Sequence, residues 1–146
     1  LMRKHTPLPS RDGPILEEQY ELLDLEPYSY EELCKMSSEQ LAAIPDFTIR
    51  SQFGEVKFPG YTDVRRLNLD ELVHFGLKKV DIYPEGVDKP PVGQQLNKPA
   101  VISLYQCFPK KNNVDKYEAS LKNTAGTQFV HYDRDAGTWT FEVEHF

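Results

Sequence analysis

The chain has 146 residues, 39% hydrophobic and 27% charged, with 8 Phe, 8 Tyr and 1 Trp, which is enough for one domain with a sizeable core that needs neither metal nor disulfides to stay folded. Its net charge of −6 sits entirely in residues 1–46, where ten acids face four bases; the remaining thirteen against thirteen leave an even body and argue against a dominant phosphate-binding face. Cys34 and Cys107 have no CxxC spacing, no apolar run approaches the roughly 20 residues of a membrane span, and Leu1 to His5 lacks the apolar stretch of a signal peptide, so a reducing compartment and no membrane insertion are expected.

In chain order, residues 1–14 carry three prolines and a glycine and read as a mobile arm. Apolar positions 15, 16, 20, 22, 23 and 25 with Glu17, Glu18 and Glu21 between them give a helix-like, amphipathic strap that Pro27 ends. Residues 1–27 are therefore set apart as an acidic flexible arm or strap, and 28–146 as the domain. Ser29 ahead of Glu31 and Glu32, and Ser37 ahead of Glu39 and Gln40, start two short helices as capping serines. Asp46 to Arg50 and Glu55 to Phe58 alternate with period two around a turn at Gln52 to Gly54. Asn68 caps a helix running to Phe75 and closed by Gly76, and Lys79 to Tyr83 is a strand. Four prolines and two glycines make residues 84–99 a long ordered loop. Ala100 to Phe108 reads as a central strand, Asn113 to Lys122 as a capped helix, and Thr127 to Tyr132 and Thr138 to Glu144 as two strands joined through Gly137. The six strands and short helices predict an α+β domain with a mostly antiparallel sheet.

In the last strand, period two puts Trp139, Phe141, Val143 and His145 on the core face and Phe146 on the other. The chain stops there with no turn and no polar tail, as at a boundary chosen for expression or a cut following Phe146. Asp46-Phe47-Thr48-Ile49, Asn68 to His74, Lys89-Pro90-Pro91-Val92-Gly93 with Leu96-Asn97, Gln128-Phe129 and Gly137 to Phe146 occur in this order. Together they resemble the C-terminal self-cleaving domain of the GLFG-repeat nucleoporins, from about Tyr28 onward, in a fungal member. The family's His-Phe-Ser motif is cut between Phe and Ser. His145 and Phe146 match it, the serine is missing, and the chain resembles the N-terminal product. The family's Phe-Gly repeats are absent; Phe53-Gly54 and Phe75-Gly76 both fall inside predicted structure.

The resemblance implies that a serine after Phe146 attacks the Phe146 carbonyl, with His145 as base or hydroxyl-orienting group and Phe146 as the scissile carbonyl residue. The alternative for His145 is packing against Trp139 or accepting a hydrogen bond in the core. Asn97 can offer an amide to the oxyanion, although capping of its loop is the more ordinary role. His5, His74 and His131 show no metal-site spacing, and no cofactor is expected. The resemblance further implies a place at the nuclear pore and nuclear envelope. There the domain anchors a Phe-Gly-repeat nucleoporin by binding other nucleoporins: a β-propeller nucleoporin of the cytoplasmic filaments, a scaffold component, and its own cleaved C-terminal segment. Such anchoring supports transport of protein and mRNA. Lys89, Lys110 and Lys111 are the candidate partner-binding residues, with either the doublet Lys110-Lys111 or Lys89 adding charge at the rim of an apolar groove. Two rival readings are an RNA-binding module, which the even charge makes weak, and a hydrolase acting in trans, which the missing nucleophile opposes.

Overall fold

The computed structural model describes residues 23–146. In chain order they form β1 (Asp24–Glu26), α1 (Tyr30–Cys34), α2 (Ser38–Leu41), β2 (Ile44–Ser51), β3 (Gly54–Thr62), α3 (Leu69–Leu72), β4 (Val73–Gly76), β5 (Lys79–Ile82), β6 (Ala100–Leu104), α4 (Val114–Lys122), β7 (Gln128–Asp133) and β8 (Thr138–Val143). The arm expected over 1–14 and most of the strap expected over 15–25 lie outside the described residues. The described end of that segment is strand, not helix. Leu23 and Leu25 are both buried, two residues apart, and β1 pairs antiparallel with β2 from Asp24↔Arg50 to Glu26↔Thr48. The sheet thus starts inside the 1–27 segment, ahead of residue 28. Arg50 clips this edge strand to the body, pairing with Glu26 and, from Nε at 3.1 Å, with Glu55 on β3. A chain starting at residue 23 keeps β1 and is the reference. One starting at residue 28 should lose stability, by about 1.5–3 kcal/mol for each of the two leucine side chains removed from the core, and thermal melts of both truncations check this.

The main sheet is six-stranded and wholly antiparallel, in the order β1-β2-β3-β6-β8-β7. The expected strand count holds, with one exchange of membership. Lys79–Ile82 pairs with β4 in a separate two-stranded sheet, and β1 takes its place in the large one. Asn68 does cap a helix, accepting from the Glu71 N–H, but α3 ends at Leu72. Val73 to Phe75, expected to continue it, instead forms strand, with buried, β-branched Val73 opposite Ile82 and His74 exposed opposite Asp81. Gly76 accordingly ends a strand rather than capping a helix.

Ser29 and Ser37 each build a reciprocal capping box, with Glu32 and Gln40 respectively. These boxes fix two helices too short to persist alone, and Leu33 and Leu41 anchor them in the core. The core gathers Phe47 and Ile49 of β2, Val56 and Phe58 of β3, Ile102 and Leu104 of β6, and Trp139 and Phe141 of β8. Val64, Leu67, Leu69 and Leu72 join it from the segment around α3. Central β6 is shorter than expected, because Gln106 takes a left-handed conformation (φ 55°) and turns the chain out of the sheet.

Candidate functional site

β8 stops pairing at Val143, opposite Ala100. Beyond that point no ladder fixes the pleat, and the alternation expected for the last two residues is inverted. His145 is exposed, so neither the core-facing position nor packing against Trp139 is found. Phe146 instead turns inward, packing against the core with its ring 6.1 Å from the Phe58 ring. Its N–H donates to Asn97 Oδ1 at 2.8 Å, and its carbonyl oxygen lies 3.5 Å from His145 Nδ1. Phe146 is therefore held by ring and amide while its carbonyl stays beside an imidazole.

Asn97 is only 2% exposed and is built into the loop of residues 84–99. Its Nδ2 donates to the Pro90 carbonyl at 2.8 Å, its N–H to Gln94 O at 2.9 Å, and its own carbonyl accepts from the Gly93 N–H at 2.6 Å. The loop-capping role weighed for Asn97 is thus present, and the side chain does a second thing that sequence reasoning missed. Its Oδ1 faces the Phe146 amide, while the NH₂ on which an oxyanion role depends is bonded to the loop. The next residue, Lys98, ties the loop to β3 by donating to Tyr61 O at 2.6 Å and Thr62 Oγ1 at 3.2 Å. Burial pushes the Lys98 pKa below the ordinary lysine value, against a smaller upward pull from Asp46. Gln95 secures the other flank, donating to the Arg65 carbonyl at 2.8 Å. The motif Lys89 to Gly93 with Leu96-Asn97 signals this loop in the sequence; its contact with Phe146, 49 positions away, has no local signal.

The candidate lysines are not brought together. Lys89 is exposed next to Pro90, on the loop that holds Asn97. Lys110 and Lys111 are exposed past the Leu104 end of β6, whereas Phe146 lies past its Ala100 end. Of the two alternatives for the rim, Lys89 is the one on the loop that meets Phe146, and Lys110-Lys111 is the one at the opposite end of β6. At that end of β6, Lys78 Nζ donates to Phe108 O at 2.8 Å and lies 6.0 Å from the Tyr117 ring centre. One open cavity lies at the chain end and a second along the Asn97 loop. One of about 360 Å³ is lined by Thr127, Gln128, Glu142, Glu144 and His145. The other, about 390 Å³, is lined by Tyr61, Thr62, Gly93, Gln94 and Lys98. Exposed Tyr61 adds apolar surface at the second. Among the described residues no group of His, Cys, Asp and Glu is arranged to hold a metal ion, and no helix is long and apolar enough to cross a membrane.

Residues 25–146 match the family described as Nucleoporin2, Nup98-96 autopeptidase S59. The nuclear pore complex protein Nup98-Nup96 of Dictyostelium discoideum is 37% identical over 132 residues, covering 81% of this chain and 6% of that protein. NUP98A of Arabidopsis thaliana is 43% identical over 117 residues, covering 70% and 11%. The chain thus spans a small fraction of the length of these relatives. Among solved structures, a mutant Nup145N APD of Chaetomium thermophilum fused to Nup145C N superposes with a TM-score of 0.77 at 30% identity, covering 85% of this chain and 94% of that one. A chain of the yeast heterotrimeric Nup82-Nup159-Nup116 nucleoporin complex gives 0.77 at 25% identity, covering 86% and 97%.

Proposed function

The chain belongs to the nucleoporin autopeptidase family of nuclear pore complex proteins, and from that premise we propose that self-cleavage of its precursor falls after Phe146 and that the domain serves as a pore anchor. The observation that carries the cleavage reading is the hold on Phe146. Its N–H is bonded to a buried asparagine, its ring is seated on Phe58, and its carbonyl oxygen is 3.5 Å from His145 Nδ1. An acyl carbon held so firmly meets the requirement for intramolecular attack.

In a precursor with serine after Phe146, the serine oxygen adds to the Phe146 carbonyl carbon while His145 takes the hydroxyl proton. The peptide C–N bond then breaks, and the proton passes to the departing amine. The ester left between Phe146 and the serine oxygen is hydrolysed by water, giving the Phe146 carboxylate and a free serine at the head of the second fragment. Intact mass measurement of the precursor expressed alone tests the reading, which requires two fragments separated after Phe146 without added protease.

Anchoring draws support from the fold shared with a chain of the Nup82-Nup159-Nup116 complex. Partners are other nucleoporins, namely a β-propeller nucleoporin of the cytoplasmic filaments and a scaffold component, together with the severed C-terminal segment. The cavity beside Tyr61 and Gly93, formed in part by the Asn97 loop, is the groove taken for this site because Tyr61 offers it an exposed aromatic ring. Partner and severed segment are expected to compete there. A labelled peptide copying the residues after Phe146 should be displaced by the partner in a fluorescence assay, and simultaneous binding of both would assign the partner to another face.

A further inference from the structure

The two-stranded sheet β4–β5 stands apart from the main sheet, and the chemistry at Phe146 does not use it. Its last contact before the long loop is Tyr83, directly after β5. Tyr83 adopts a left-handed backbone conformation (φ 55°), which a non-glycine residue keeps only where its surroundings over-determine it. Two bonds do so. Its N–H donates to Leu72 O at 2.9 Å, at the end of α3, and its hydroxyl accepts from the Leu96 N–H at 3.2 Å, across the loop. Leu96 is fully buried, so no water can replace that acceptor. The next residue is Asn97.

We propose that β4–β5 is a strut that fixes the loop from behind, with Tyr83 the positioning residue that sets Asn97 against the amide of Phe146. The relay is contiguous. Leu72 holds the Tyr83 backbone, the Tyr83 hydroxyl holds the Leu96 amide, and Leu96 and the Pro90 carbonyl set the two ends of Asn97. Asn97 Oδ1 then accepts from Phe146. Burial pushes the Tyr83 pKa above the ordinary tyrosine value, with the Leu96 amide pulling the other way, so the hydroxyl stays neutral across the physiological range. Removing that single oxygen leaves the Leu96 N–H without a partner and loosens the residue before Asn97, whose own bonds to Gly93, Gln94 and Pro90 remain, so the effect of Tyr83 on Phe146 passes through Asn97. As a role in cleavage, this rests on the reading that Phe146 is the cut residue; as a role in holding the Phe146 amide, it does not.

The test is amide hydrogen exchange on the chain ending at Phe146, for wild type, Tyr83→Phe, and Tyr105→Phe as a control. The control deletes a hydroxyl bonded to Glu55 at the far end of β6. Tyr83→Phe should speed exchange at Leu96 and Phe146 by about tenfold, the scale of one lost buried hydrogen bond, and leave Phe47 and Ile49 unchanged. Tyr105→Phe should leave Phe146 unchanged. If Tyr83→Phe does not fold, 3-fluorotyrosine at position 83 keeps ring and hydroxyl and weakens only the acceptor, with a smaller change in the same direction. An unchanged Phe146 rate in whichever variant folds overturns the strut. In the serine-extended precursor, Tyr83→Phe should cut about tenfold more slowly than wild type, and cutting at the wild-type rate would overturn the positioning role in cleavage. A wild-type precursor that stays intact defeats the cleavage reading itself, and the exchange result still decides the strut.

Discussion

In a precursor that carries serine directly after Phe146, His145→Ala should slow self-cleavage by about 10²–10⁴-fold, the usual contribution of a positioned general acid–base group. The expectation rests on placement. His145 is exposed beyond the last paired residue of β8, so its replacement disturbs no core packing, and its Nδ1 is 3.5 Å from the carbonyl oxygen of Phe146. The variant should melt with the wild type, which separates a chemical effect from a folding one. Asn97→Ala should behave differently. Asn97 is buried, and the change leaves both the Phe146 N–H and the Pro90 carbonyl without their partner, so it should slow cleavage and lower stability together. A time course of intact mass after refolding the purified precursor reads both rates. If His145→Ala cuts as fast as wild type, the proton goes elsewhere and the imidazole only borders the site.

Much of this arrangement is legible in the chain because short-range chemistry dictates it. A capping serine three residues ahead of Glu32 or Gln40 can only be satisfied locally, and α1 and α2 form where the two serines predict them. The hairpin between β2 and β3 and the Asn113-capped helix are set by neighbours within a few positions in the same way. Elements decided by distant partners were not legible. β1 is strand because Arg50, Ile49 and Thr48 offer an edge, while its own spacing suits a helix as well. α3 is cut short because β5 supplies a partner for Val73. At the site, period two predicts a correct row through Trp139 and Phe141 and then fails at His145 and Phe146, where the ladder that enforces the period has ended. The motif residues Asn97, His145 and Phe146 stand out by their types. Their pairing, and the part of Tyr83, depend on a loop folding back over a strand end, which no local pattern encodes.

Gly54→Ala should be the most damaging single methyl in the domain, and the reason is backbone geometry. Gly54 opens β3 and pairs with Leu104 of β6 at the centre of the sheet. A Cβ there would lie 2.3 Å from the Ser103 carbonyl oxygen and 3.1 Å from the Leu104 Cα, both backbone atoms held by the same ladder. Neither can move without parting β3 from β6. Overpacking of this kind ordinarily costs about 1–3 kcal/mol, and a clash with paired backbone belongs at or above the top of that range. Gly137 provides the comparison. Its Cβ would come within 2.7 Å of the Phe108 ring, but that ring is 41% exposed and can swing away. The cost left at Gly137 is mainly the left-handed conformation (φ 73°), about 1 kcal/mol. Denaturant melts should therefore rank Gly54→Ala well below Gly137→Ala, with Gly54→Ala losing a large part of a small domain's total stability. The damage should reach the cleavage site, because β3 carries Phe58, on which the Phe146 ring rests, and the Tyr61 carbonyl that anchors Lys98. A serine-extended Gly54→Ala precursor should thus stay uncut under conditions in which Gly137→Ala still cleaves. Equal stability of the two variants would mean that the β3–β6 seam yields where its paired carbonyls imply that it cannot.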